Sequence, residues 1–111
     1  MCGIVGIVHA PDGREVELSD LARMAETIAY RGPDEEGHYL AGPVGMYHKR
    51  LSIIDLASGR QPMSNDGATI VFNGEIYNYI ELRAELVRRG RVFRTNSDTE
   101  GALQLYQEFG P

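Results

Sequence analysis

The chain has 111 residues, 42% of them hydrophobic and 24% charged, which is ordinary for a soluble globular protein and enough for one modest core. Its net charge of −5 argues against a nucleic-acid or acidic-membrane partner, because no face can be uniformly basic without a still more acidic remainder. The single cysteine, Cys2, cannot close an internal disulfide, and the apolar run Ile4-Val-Gly-Ile-Val8 is too short for a signal or membrane segment, so the cytoplasm is the expected compartment.

Residues 3–9 are β-branched at alternating positions on both faces, which predicts a strand covered on both sides, with Cys2 at its mouth. Pro11-Asp-Gly13 makes a turn, and Ser19 can cap a helix carrying Leu21, Met24, Ala25 and Ile28 on one face, ending before Arg31. Residues 31–37 read as a shaped loop. Residues 38–41 and 44–54 read as strands paired through a Gly42-Pro43 turn, and 55–67 as a surface loop. Residues 68–72 form a strand that stops at Asn73-Gly74. A helix follows over 79–89, with Leu82 and Leu86 apolar and Gly90 at its end. The basic run from Arg83 to Arg94, interleaved with Glu85, reads as a solvated face, and Val92-Phe93 as a short edge strand. Ser97-Asp-Thr-Glu100 is a capping box opening a last helix that points Leu103, Tyr106 and Phe109 to the core. The order suits helices layered on mostly antiparallel sheet, an α+β class.

Once Met1 is removed, Cys2 carries a thiol and a free α-amine on one carbon, a nucleophile with its own candidate base. An α-amine titrates near 7.7–8.0, so roughly a tenth or more is unprotonated at neutral pH and no histidine is required. The bland alternative is a small apolar residue opening a strand. His9, His38 and His48 lack metal-ligand spacing, and the structural reading is preferred for each. Asn73-Gly74 offers a side-chain amide and an approachable backbone N–H to an oxyanion, against an ordinary hairpin turn. The following Glu75-Ile-Tyr-Asn78 resumes no matching strand, which weakens the hairpin. Arg50 is a planar fork suited to a carboxylate, and Asp98 and Glu75 could receive an ammonium. Separately, Arg50 could be an exposed strand arginine and Asp98 a helix-stabilising acid. As a set, one cation, two acids, a donor pair and a terminal thiol describe a pocket for a small amino acid.

Six ordered motifs, Met1-Cys-Gly-Ile-Val-Gly6, Arg31-Gly-Pro-Asp34, Arg50-Leu-Ser-Ile-Ile-Asp55, Gln61-Pro62, Asn73-Gly-Glu-Ile-Tyr-Asn78 and Ser97-Asp-Thr-Glu100, resemble the glutaminase domain of class II glutamine amidotransferases. Within that class Leu51-Ser-Ile-Ile-Asp55, where sugar-phosphate and phosphoribosyl enzymes usually carry a Trp-Ala-Thr-His-Gly type stretch, is similar to glutamine-hydrolysing asparagine synthetases.

The resemblance implies a four-layer αββα sandwich of the N-terminal-nucleophile hydrolase type, with residues 1–111 forming one glutaminase domain whose C-terminal part, and the synthetase domain after it, are missing. It implies that Cys2 attacks the side-chain amide of L-glutamine and forms a thioester, releasing ammonia and then glutamate. It also implies that Arg50 binds the substrate carboxylate, Asp98 with Glu75 the α-ammonium, and Asn73 with Gly74 the oxyanion. Leu51, Ser52, Ile53 and Ile54 would supply backbone and wall, and Arg31 and Asp34 a supporting loop. No cofactor is expected in this chain; ATP and Mg2+ are expected for the synthetase domain, with aspartate as ammonia acceptor. An unfinished sheet has edges left to pair and so admits a homo-oligomer. The alternative is a truncated, non-catalytic chain that binds only glutamine or a partner. A redox or acylation role for Cys2 lacks any supporting motif.

Overall fold

A computed structural model describes residues 2–51 and 59–111 of the chain. Strands β1 (Gly3–Val8), β2 (Glu35–Ala41) and β3 (Val44–Arg50) form one antiparallel sheet in the order β1-β3-β2. A second, two-stranded sheet pairs β4 (Met63–Asn65) with β5 (Ala68–Ile70). Helix α1 (Leu18–Glu26) packs on the first sheet, while α3 (Asp98–Phe109) packs on the second and against α2 (Tyr79–Arg88). The expected α+β class with antiparallel sheet is therefore observed.

The register follows from the turns. Gly42-Pro43 closes the β2–β3 hairpin, so Ala41 faces Val44 and, six steps along, Glu35 faces Arg50 and Glu36 faces Lys49. Opposite charges facing each other across a ladder stabilise it. This is why β2 begins at Glu35, inside the stretch expected to be loop.

Helix α1 starts after Glu17 rather than at a Ser19 cap, and Glu17 makes no side-chain cap bond. The Val16 N–H donates to the Gly42 carbonyl at 2.9 Å and its side chain is buried, so the chain turns into the helix immediately beyond. Leu21 and Ala25, one turn apart, join Val16 and Tyr47 in the core, with Val5 and Ile7 against them. Met24 is largely exposed, and Ile28 lies past the helix, against Gly3.

β1 differs from expectation. Only its Gly3, Val5 and Ile7 face is covered, by α1; on the other face Ile4 is 45% and Val8 78% exposed. Both faces are apolar in sequence, but among the described residues one helix covers one of them.

The expected loop 55–67 ends instead in a strand. Asp66 and Gly67 both adopt positive φ, 45° and 83°, the backbone a two-residue hairpin requires, and they join Met63–Asn65 to Ala68–Ile70. No strand forms at Val92-Phe93. There the Val92 carbonyl accepts from Gln104, and the Arg94 and Thr95 N–H groups donate to Glu100, so side chains take the bonds a neighbouring strand would have taken.

On α3, Leu103 is buried while Tyr106 and Phe109 are about half exposed. Successive steps of three slip by about 60° around a helix of 3.6 residues per turn. The inward face therefore runs through Thr99, Glu100, Leu103 and Gln104, and the two aromatics rotate off it. The basic run of α2 and the segment after it is only partly solvated. Arg88 and Arg89 pair with Glu85 at the surface, but Arg83 donates to the Thr95 carbonyl and Arg91 to Gln104 and Gln107.

Candidate functional site

Between the first sheet and the segments leading into α2 and α3 lies a cavity of about 550 Å³. Six residues singled out from sequence line it: Cys2, Arg50, Asn73, Gly74, Glu75 and Asp98. Leu51 adjoins it, its carbonyl 3.9 Å from the Cys2 Sγ. Ser52, Ile53 and Ile54 lie outside the described residues.

Cys2 immediately precedes β1, and two features hold it there. Gly3 lets Ile28 and Arg31 approach its backbone, where a Cβ would stand 2.7 Å from the Ile28 side chain. The Arg31 Nε then donates to the Cys2 carbonyl at 3.2 Å. The rest of the Arg31-Gly-Pro-Asp34 motif grips the neighbouring strand β3. Gly32 presses on the backbone of Lys49 and Arg50 so closely that any Cβ would collide with it. Pro33 forms an isolated bridge to Arg50, and the Asp34 N–H donates to the Arg50 carbonyl at 3.1 Å. This loop is thus a brace between the residue bearing the thiol and the residue bearing the guanidinium.

Arg50 is buried, only 8% exposed, and its Nη1 donates to the Glu35 carboxylate at 2.9 Å. Glu35 shares its other oxygen with Arg60 at 3.1 Å. The ion pair with Glu35 fixes the guanidinium plane in place. Glu35 was not singled out from sequence; the signal for it is the register of the Gly42-Pro43 hairpin, which sets it opposite Arg50.

The opposite wall is built where β5 ends and α3 begins. Asn73, Gly74 and Glu75 are exposed and irregular, and no strand resumes after them, so the hairpin alternative does not apply. Ser97 caps α3 by accepting the Thr99 N–H at 3.1 Å. Asp98, in the first turn, accepts the Ile76 N–H at 3.1 Å, which ties the start of α3 to the segment bearing Glu75. The Ser-Asp-Thr-Glu box is not reciprocal: the Glu100 carboxylate turns away from Ser97 to gather the Arg94 and Thr95 N–H groups and the Thr95 hydroxyl. Glu100 therefore shapes the 94–97 turn, whose Asn96 and Ser97 also line the cavity.

Burial alone would raise the Glu100 pKa, but the Thr95 hydroxyl, the Arg94 and Thr95 N–H groups and the Gln104 amide together hold it below its ordinary 4.5. A carboxyl depressed on folding contributes stability that is complete above about pH 4.5 and lost as pH falls through the lower folded value. Glu100→Gln is expected to destabilise the protein at pH 7 by about 1–3 kcal/mol, since an amide NH2 would face donors. Its melting temperature should also fall less steeply than the wild type's below pH 4.5. Parallel slopes from a pH series of thermal melts would overturn the assignment.

His48, on β3, is 1% exposed, and among the described residues its Nε2 has no hydrogen-bond partner. Burial holds its pKa below the usual imidazole value, with the Phe72 backbone acting the other way, so it packs as a neutral ring. His9 and His38 stand at the end of β1 and on β2, away from the cavity lining. Among the described residues, no three His, Cys, Asp or Glu side chains could hold a metal ion, and no helix is long and apolar enough to cross a membrane.

The arrangement places a thiol, a guanidinium, two carboxylates and the Asn73-Gly74 segment around one opening. Residues 1–111 match the family described as glutamine amidotransferase domain. Asparagine synthetase [glutamine-hydrolyzing] 2 of Bacillus subtilis is 46% identical over 99% of this chain and 15% of its own length. Asparagine synthetase [glutamine-hydrolyzing] 1 of the same organism is 45% identical over 98% of this chain and 18% of its own. Asparagine synthetase [glutamine-hydrolyzing] 1 of Arabidopsis thaliana is 41% identical over 99% and 19%. The chain thus spans less than a fifth of the length of these relatives.

Proposed function

Because this chain belongs to the glutamine amidotransferase domain family, we propose that it is the glutaminase part of a glutamine-dependent amidotransferase, with Cys2 as the nucleophile. The observation that carries this reading is the convergence of Cys2, Arg50, Asn73, Gly74, Glu75 and Asp98 on one cavity. In it, Arg50 takes the α-carboxylate of L-glutamine, and Asp98 with Glu75 takes the α-ammonium. With both ends of the amino acid fixed, the side-chain amide is directed at the Cys2 Sγ. Leu51 adds its backbone beside the thiol.

The α-amine of Cys2, freed by removal of Met1, accepts the thiol proton. The thiolate then forms a bond to the amide carbon, and the carbonyl electrons move onto oxygen, where the Asn73 side-chain NH2 and the Gly74 N–H stabilise them. Collapse of this intermediate breaks the C–N bond; the ammonium of Cys2 returns its proton to the leaving nitrogen, and ammonia departs. Water, deprotonated by the same amine, hydrolyses the thioester to glutamate and regenerates the thiol.

The four-layer αββα sandwich belongs to this proposal, supported by α1 against one sheet and α3 against the other. So does the destination of the ammonia: by likeness to the relatives, asparagine synthesis from aspartate by a synthetase domain using ATP and Mg2+, in the cytoplasm. The direct test is incubation of the chain, its N-terminal cysteine confirmed by intact mass, with L-glutamine while glutamate and ammonia are followed. Equimolar release is expected. Binding of glutamine without turnover would replace the enzyme reading with that of a binding-only chain.

A further inference from the structure

We propose that Gln61 is a positioning residue, a clasp that holds the segment entering Asn73-Gly74 and the start of α3 at a fixed separation; this rests on the functional reading above. Its backbone is pinned to the first sheet, because Gly37 on β2 packs on the Gln61 carbonyl so closely that a Cβ would collide with it. From there its side chain reaches two other elements. The Oε1 accepts the Phe72 N–H at 2.5 Å, immediately before Asn73 and Gly74. The Nε2 donates to the Thr99 Oγ1 at 3.2 Å, immediately after Asp98. Thr99 is 3% exposed and its own N–H is held by the Ser97 cap, so the hydroxyl cannot follow a displaced partner.

These contacts suit a carboxamide of this length. The Phe72 N–H needs an acceptor and Thr99 is offered a donor, so one neutral amide satisfies both ends. Asparagine is one methylene short of spanning them, and leucine, with a similar outline, can make neither bond. Each group so joined lies next to a residue assigned a role in substrate binding or oxyanion stabilisation, yet Gln61 itself need not touch the reacting atoms.

The test uses Gln61→Leu, Thr99→Val, Thr99→Ser and the Gln61→Leu/Thr99→Val double variant of the full chain, with two readouts. In the first, backbone amide exchange by NMR, Gln61→Leu should speed exchange of the Phe72 N–H about fivefold or more, the loss of one hydrogen bond of ordinary net strength. Thr99→Val, but not Thr99→Ser, should shift the Phe72 and Asn73 amides across the cavity. In the second, glutaminase kinetics, Thr99→Val should raise KM by loosening the Asp98 side. Gln61→Leu should raise KM and also lower kcat, and the double variant should be no worse than Gln61→Leu alone. Thr99→Ser should stay close to wild type. Additive losses, or a Phe72 amide that exchanges as in the wild type, would overturn the clasp. If the wild type does not turn over glutamine while the exchange pattern holds, the functional reading fails and the clasp stands. Should Gln61→Leu not fold, the Thr99→Val and Thr99→Ser pair decides by the same amide shifts.

Discussion

Glutamate formation is expected to vanish in Cys2→Ala to within the sensitivity of a coupled assay, while the thermal transition moves by less than about 1 kcal/mol in stability. The asymmetry follows from what the thiol touches. Among the described residues the Sγ makes only a weak approach to the Leu51 carbonyl at 3.9 Å, so the fold loses little when it goes. The chemistry loses the atom to which the acyl group must transfer. Hydrolases stripped of a nucleophile keep a residual of about 10³–10⁴ over water from their oxyanion donors and binding alone. Any remaining activity should lie at or below that level and show no thioester. Cys2→Ser keeps the shape but exchanges a thiol for a hydroxyl far harder to ionise, and it should be nearly as inactive. Retention of Met1 should silence the wild type equally, since it converts the α-amine into an amide that cannot accept a proton. A Cys2→Ala protein that releases glutamate at the wild-type rate would remove Cys2 from the mechanism.

Asn73→Ala should lower kcat by about 10²–10³ with KM nearly unchanged, the usual cost of one lost oxyanion donor. Asn73 is exposed at the cavity rim beyond β5, so its removal should alter stability by no more than about 0.5 kcal/mol. The split between kcat and KM is the informative part. A donor that meets the oxyanion only as the tetrahedral intermediate forms has little to offer the ground-state amide. A raised KM with intact kcat would assign Asn73 to substrate binding, leaving the Gly74 N–H as the oxyanion donor.

The residues around the cavity were readable in the sequence because each carries a distinctive functional group: a thiol at position 2, a guanidinium in a β-rich stretch, an Asn-Gly that no strand follows. The supports were harder to read. Glu35 acquires its role only through the hairpin register, and Gln61 through partners 11 and 38 residues away, which no local pattern records. The second hairpin was overlooked although Asp66-Gly67 is a direct turn signal, because the three residues before it, Met63-Ser-Asn65, are too few and too polar to read as a strand. On α3, steps of three gave the correct helix and the buried Leu103 but misplaced Tyr106 and Phe109, since five buried positions fix its orientation better than two aromatics. Glu100 illustrates the same limit: its sequence position announces a capping box, while its carboxylate serves a turn upstream.

Gln61 lies where the first sheet, through Gly37, meets the segments leading into α2 and α3. The cavity occupies that boundary, so the molecule is jointed where it is hollow. Substitutions at the joint should leave secondary structure intact and blunt affinity first, whereas those in the Leu21 and Ala25 core should do the reverse. A glutamine molecule spanning from Arg50 to Asp98 would act as the keystone between the two halves.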